Sequence, residues 1–157
     1  MIYLQIEGIK GNVTAEGYKD WIQLDSLQYG VDRAVGMSVG AGRERETGAP
    51  SLSEISVTKQ MDESSGHLFQ EACSGTAKKV TINVVRTSSD KVQEYLKLEM
   101  ENCLVSRYNV SSGVELPSES LSLAFTKITM SFTHWDKSNK PGNPIVVSYD
   151  LETAKKG

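Results

Sequence analysis

The sequence predicts a mainly β chain: an antiparallel β-barrel or sandwich of about seven or more strands, with one flanking α-helix and a long extended loop. Three observations carry this. Apolar residues alternate with a period of two in segment after segment. One stretch, residues 62–72, spaces its apolar residues as a helix does. In two long segments the parity of the alternation switches midway, which a regular strand cannot do without a bulge or bend. Strand and helix do not alternate as βαβ units and no segment repeats, so the strands pair antiparallel.

The first strand is Ile2 to Glu7, with Ile2, Leu4 and Ile6 on one face. Gly8 to Gly17 is a connector punctuated by Gly8, Gly11, Asn12 and Gly17. Tyr18 to Val31 is a second strand. Ile22 and Leu24 are apolar on even positions, whereas Leu27, Tyr29 and Val31 are apolar on odd ones, so a bulge is expected at Ser26. Beyond it, Ser26 and Gln28 leave the core for a polar face. Gly36 to Pro50 reads as loop, with four glycines and the charge run Arg43-Glu44-Arg45-Glu46. Ser53 to Lys59 is a half-buried strand with Ile55 and Val57 inward. The helix that follows takes Asp62 or Ser64 as its cap, Leu68, Phe69, Ala72 and Cys73 as its apolar stripe, and Gly75 as its stop.

Lys79 to Arg86 alternates again, with Val80, Ile82 and Val84 inward and Thr81 and Asn83 outward. Ser88-Ser89-Asp90 marks a hairpin turn. Val92 to Arg107 is a long strand with Leu96, Leu98 and Met100 opposite Lys97, Glu99 and Glu101. Tyr108 to Ser118 is a polar loop. Glu119 to His134 is the last long strand, its parity breaking at Thr126-Lys127; such breaks suit strands that turn a barrel corner. Ile145 to Leu151 is the final strand, followed by a frayed tail from Ala154.

The 157 residues make one domain, residues 1–157, and a chain of this size buries roughly 70% of its unfolded surface in one core. Seventeen basic residues against twenty acidic ones leave a formal charge of −3 and no basic footprint for nucleic acid. No apolar run approaches the roughly 20 residues of a membrane-spanning helix, and MIYLQIEGIKGN lacks the pattern of a signal peptide. The expected compartment is therefore the cytoplasm, with no membrane insertion. Cys73, on the helix stripe, and Cys103, in a strand, are expected to be two buried thiols in a reducing compartment.

Little in the chain points to catalysis. Two cysteines and two distant histidines make no zinc spacing, so neither a metal nor a cofactor is expected. His67 and His134 stand near no nucleophile motif. Glu99 and Glu101 could form an acid pair, but Lys97 shares their face, which reads as solvated. Gly40-Ala41-Gly42-Arg43 lacks the spacing of a phosphate-binding loop. By charge alone, Arg43 to Glu46 is an exposed loop tip or an electrostatic zipper to a neighbouring copy.

The run GRERETGAPSLSEISVTKQMDESS, with HLFQEA after it, resembles the Hcp family of haemolysin-coregulated proteins, the ring-forming tube proteins of bacterial type VI secretion systems. Further matches are Gln93-Glu94-Tyr95, the segment Asn102 to Ser106, the segment Glu119 to Ile128, and Gly142-Asn143-Pro144, so the resemblance covers nearly the whole chain. It implies a β-barrel subunit, not an enzyme, in a hexameric ring that stacks into a hollow tube. The implied partners are further copies of the chain, a spike protein at the tip, contractile sheath proteins and effector cargo in the lumen. It implies assembly in the bacterial cytoplasm, then export without a cleaved signal. Gly40, Gly42, Arg43, Glu44, Arg45 and Glu46 become the loop that contacts neighbouring rings and subunits, and Ser26 and Gln28 face the channel. The chain ends so soon after its last strand that no fused toxin domain is expected. The competing reading is a small monomeric β-barrel that binds a ligand or acts as an enzyme.

Overall fold

The computed structural model describes residues 1–36 and 47–157. Gly40, Gly42, Arg43, Glu44, Arg45 and Glu46 fall on the other ten and lie outside the described residues. The described chain is mostly antiparallel strand with one short helix. In order these are β1 (Ile2–Ile6), β2 (Ile22–Leu24), β3 (Ser26–Gln28), β4 (Val31–Val35), β5 (Thr47–Leu52), β6 (Ile55–Gln60), α1 (Ser65–Ser74), β7 (Lys78–Ser88), β8 (Lys91–Ser111), β9 (Ser118–Ala124), β10 (Lys127–Phe132), β11 (Ile145–Asp150) and β12 (Lys155–Lys156).

One run of strands is ordered β12-β11-β10-β8-β7-β1-β2. A second arm pairs β3 with β6, β6 with β9, and β9 with the C-terminal half of β8. Both predicted parity switches are the corners between these arms. The first lies at Asp25, one residue before the expected Ser26, and carries the chain from β1's side to β6's side. The second lies at Phe125-Thr126, where one long strand splits into β9 and β10. The alternation thus changes face where the strand changes neighbours.

The core lies between the arms. Leu4, Ile22, Ile55, Leu68, Ile82, Leu98, Met100, Leu121 and Leu123 are all fully buried. Each contributes about 1.5–3 kcal/mol relative to exposure. The hairpin turn between β7 and β8 is the two-residue kind: Ser89 and Asp90 both have positive φ, 51° and 61°, which matches the twist of the flanking strands.

Several boundaries differ from expectation. The second strand begins at Ile22 rather than Tyr18, because residues 11–21 fold back as a ribbon in which Gly11 N–H donates to Asp20 O (2.8 Å) and Val13 N–H to Trp21 O (3.0 Å). A Cβ at Gly11 would overlap the Trp21 backbone, so this close approach requires glycine. Val31 opens β4, which pairs with β5; Thr47 to Pro50, expected as loop, is therefore strand. Gly48 and Pro50 hid it, yet proline is tolerated in a strand of a two-stranded ribbon with open edges. The polar loop expected from Tyr108 starts after Ser111, because β8 continues along β9. The tail is not wholly frayed, since β12 pairs with Tyr149 and Asp150.

The helix also corrects the sequence reading. Of its expected stripe only Leu68 is buried; Phe69 is 59% exposed, and Ala72 and Cys73 are exposed too. Ten residues on a barrel flank give one narrow line of contact, too narrow for four inward positions. Cys73 is therefore not the buried thiol expected, whereas Cys103 is, and burial pushes its thiol up to about 12.

Candidate functional site: contact surfaces and a polar cleft

Three features stand out beyond the core. The first is a buried ionic knot. Lys59 and Glu119 are register partners on β6 and β9, both side chains are fully buried, and Lys59 Nζ donates to Glu119 Oε2. Lys59 Nζ also donates to Asp62 Oδ1 at 3.0 Å and to Ser65 Oγ at 3.4 Å, and Tyr108 OH donates to Glu119 Oε1. Asp62 Oδ1 accepts from the backbone N–H and the hydroxyl of Ser64. One cation thus ties β6, β9 and the start of α1 together. Burial, then the neighbouring Glu119, pushes the Tyr108 phenol up to about 12. Sequence reasoning missed this knot, although the signal was present. Lys59 shares the parity of Ile55 and Val57, and Glu119 that of Leu121 and Leu123.

The second feature is unpartnered apolar surface. The last strand, expected to have an apolar side, exposes Ile145 (65%), Val146 and Val147. At the base of the β4–β5 hairpin, Tyr29, Val31 and Pro50 face Met130, Val147 and Tyr149 across an apolar groove of about 270 Å³. Val31 is 61% exposed. A separate apolar surface is the outer side of α1 at Phe69, whose ring meets Tyr108 edge-on at 6.2 Å.

The third feature is a polar cleft of about 940 Å³ over β7 and β8, roofed by the residue 11–21 ribbon. The sequence reading put Thr81 and Asn83 outward with Lys97, Glu99 and Glu101 as a wet face. The structure buries Thr81 and Asn83; Tyr18, packed beside Tyr3, Val13 and Val85, meets Asn83 through its hydroxyl. Glu94 joins this face through a β-bulge: Val84 pairs with Leu96 but Val85 with Glu94, skipping Tyr95. By strict alternation Glu94 would point into the core with Leu96, and an acid in that phase was the legible sign of the bulge. Asn83 Nδ2 donates to Glu94 Oε2 at 2.8 Å and to Tyr18 OH at 3.2 Å. Burial pushes the Tyr18 phenol up and Glu94 adds to that, while the Asn83 amide pulls it down. Lys97 donates to Glu99 at 2.9 Å; that bond holds the Glu99 carboxyl below and the Lys97 ammonium above its ordinary value.

Of the residues picked from sequence, Ser26 and Gln28 are brought together on β3, and both are exposed. Ser26 and Thr58 share a hydrogen bond across to β6. The expectation that they leave the core holds. His67 and His134 are exposed and far apart in the chain, and neither joins the three features.

Residues 3–132 match the family model described as type VI secretion system effector, Hcp. The chain belongs to the Hcp family. That stretch spans most of the chain and includes the corner strands, the hairpin and the helix. A solved structure described as a type six secretion system protein has the same fold, with a TM-score of 0.91 at 24% identity over 99% of this chain and 98% of that one. Hcp1 from Salmonella typhimurium gives 0.77 at 19% identity, covering 99% and 97%. A type VI secretion system effector from Yersinia pestis gives 0.75 at 20% identity, covering 96% and 99%. No curated protein matches the chain. Membership makes this a tube or effector protein of the type VI secretion system.

Proposed function

We propose that the chain is the tube subunit of a type VI secretion system: copies close into hexameric rings, rings stack into a hollow tube, and the tube is exported with cargo in its lumen. The Hcp family match over residues 3–132 is the observation that carries this reading. The surface supports it. A closed ring uses a heterologous interface, which needs two unlike patches on each copy. The groove beside β11 and the outer side of α1 are two such apolar patches on different elements. Among the described residues, the backbone of residues 145–147 on β11 also has no second neighbouring strand, which in a free subunit invites pairing.

In this reading the chain acts mechanically. A contracting sheath drives the tube, a spike complex sits at its tip, and the subunit itself performs no catalytic step. Gly40, Gly42 and Arg43 to Glu46 make the contact between rings, while Ser26 and Gln28 lie on the channel wall. Assembly takes place in the cytoplasm, and export needs no cleaved signal. Electron microscopy of the purified chain tests the reading: class averages should show closed rings with an open centre. Uniform particles of single-subunit size would refute it.

A further inference from the structure

The cleft over β7 and β8 has a defect that the tube reading does not use. Asn83 is 5% exposed, and its Oδ1 accepts no hydrogen bond among the described residues. The amide's two N–H groups are spent, one on Glu94 and one on Tyr18. Turning the amide over would set its oxygen against the Glu94 carboxylate, so the orientation is fixed by chemistry. A buried carbonyl without a donor is costly, and most such groups in folded proteins are satisfied.

Glu94 is the second unbalanced group. It takes no ion pair within 4 Å among the described residues, because Lys97 and Lys79 both pair with Glu99. Its Oε2 is held by Asn83 and, at 3.4 Å, by Tyr18 OH, while Oε1 takes no side-chain partner among the described residues. Trp21 stands edge-on to Tyr18, ring centres 5.0 Å apart, and also lines the cleft. The site thus offers a carboxylate, a carbonyl lacking a donor, and aromatic rings.

We propose that this cleft binds a guanidinium group on an alkyl stem, seated between Glu94, Asn83 and Trp21. A guanidinium is planar, carries five N–H donors in a fork and stacks on aromatic faces, so one group meets all three needs. It can pair with the Glu94 carboxylate and lie against Trp21, and it reaches the enclosed Asn83 Oδ1 once the Tyr18 side chain over Asn83 moves aside. An ammonium would satisfy the charge but lacks the flat face. The same chemistry is offered by a small free guanidine or by an arginine side chain of a protein partner. The proposal stands apart from the tube reading and does not depend on it.

The test is a titration of the full-length ¹⁵N-labelled chain with agmatine and with N-acetyl-arginine amide, using N-acetyl-glutamate as the control. Saturable shifts of the Trp21 indole and Asn83 side-chain amide signals are expected with the guanidinium probes and not with the control. Binding of agmatine alone assigns the site to a free guanidine; binding of the peptide-like probe assigns it to a partner's arginine. Glu94→Gln should weaken binding by about tenfold or more, the loss of one charge-assisted partner. Trp21→Leu should weaken it too, and decides the matter if Glu94→Gln disturbs the fold seen by circular dichroism. No saturable shift with either probe, or wild-type affinity in a folded variant, would overturn the proposal.

Discussion

Lys59 and Glu119 pair where a β-barrel would ordinarily place apolar side chains. Such a pair is weak support for stability as a unit, but removing one partner leaves a buried charge uncompensated. Lys59→Met should therefore cost about 3–5 kcal/mol in urea denaturation, and adding Glu119→Leu should recover most of it. A single variant as stable as the parent would contradict the knot. The Cys103 thiol, ordinarily at 9.0, and the Tyr108 phenol, ordinarily at 10.0, are both raised to about 12 in the fold. A raised group stabilises the fold below its unfolded value and loses that contribution as pH climbs toward its folded value. The thermal midpoint should thus fall between about pH 9 and pH 12, and less steeply in Cys103→Val with Tyr108→Phe; equal slopes would count against the assignment. Gln28→Leu, on an exposed site of β3, should change stability by no more than about 0.5 kcal/mol while altering cargo retention. At this scale the sequence was legible wherever parity was obeyed, as at Gln28. It misled where parity was obeyed by a charged residue, because a lysine in a core position reads as a strand end until its partner on a distant strand is known.

Elements were more legible than residues. Both parity switches mark real corners, and the helix ends at Gly75 as expected. The β4–β5 ribbon was not legible, because glycine and proline in one strand argue against pairing and only the partner strand restores it. Nor was the burial of Thr81 and Asn83, which depends on a ribbon of the chain some 60 residues earlier rather than on β7 itself. Arg43 and Arg45 lie between β4 and β5 in the sequence. Reversing both to Glu should leave the far-ultraviolet circular dichroism unchanged, since the apolar core is built from other residues. If the segment joins rings, tubes seen by electron microscopy should shorten sharply and secretion should fall, because ion pairs strengthen where contact excludes water. Tubes of normal length would make the charge run an idle loop tip.

For the whole molecule, antiparallel β architecture was legible from periodicity alone, and assembly was not. A polar strand face reads the same whether it meets bulk water, a channel or the residue 11–21 ribbon, and an exposed apolar strand such as β11 reads as core. In the proposed ring, the two unlike apolar patches become contact surface between copies. The account also requires assembly by protein contacts alone, without metal or cofactor. Native mass spectrometry of the purified chain after chelator treatment tests this most directly. The account predicts a ring near six times the 17.2 kDa of one chain, unchanged by the chelator. A single 17.2 kDa species, or a ring that falls apart when metal is removed, would contradict it.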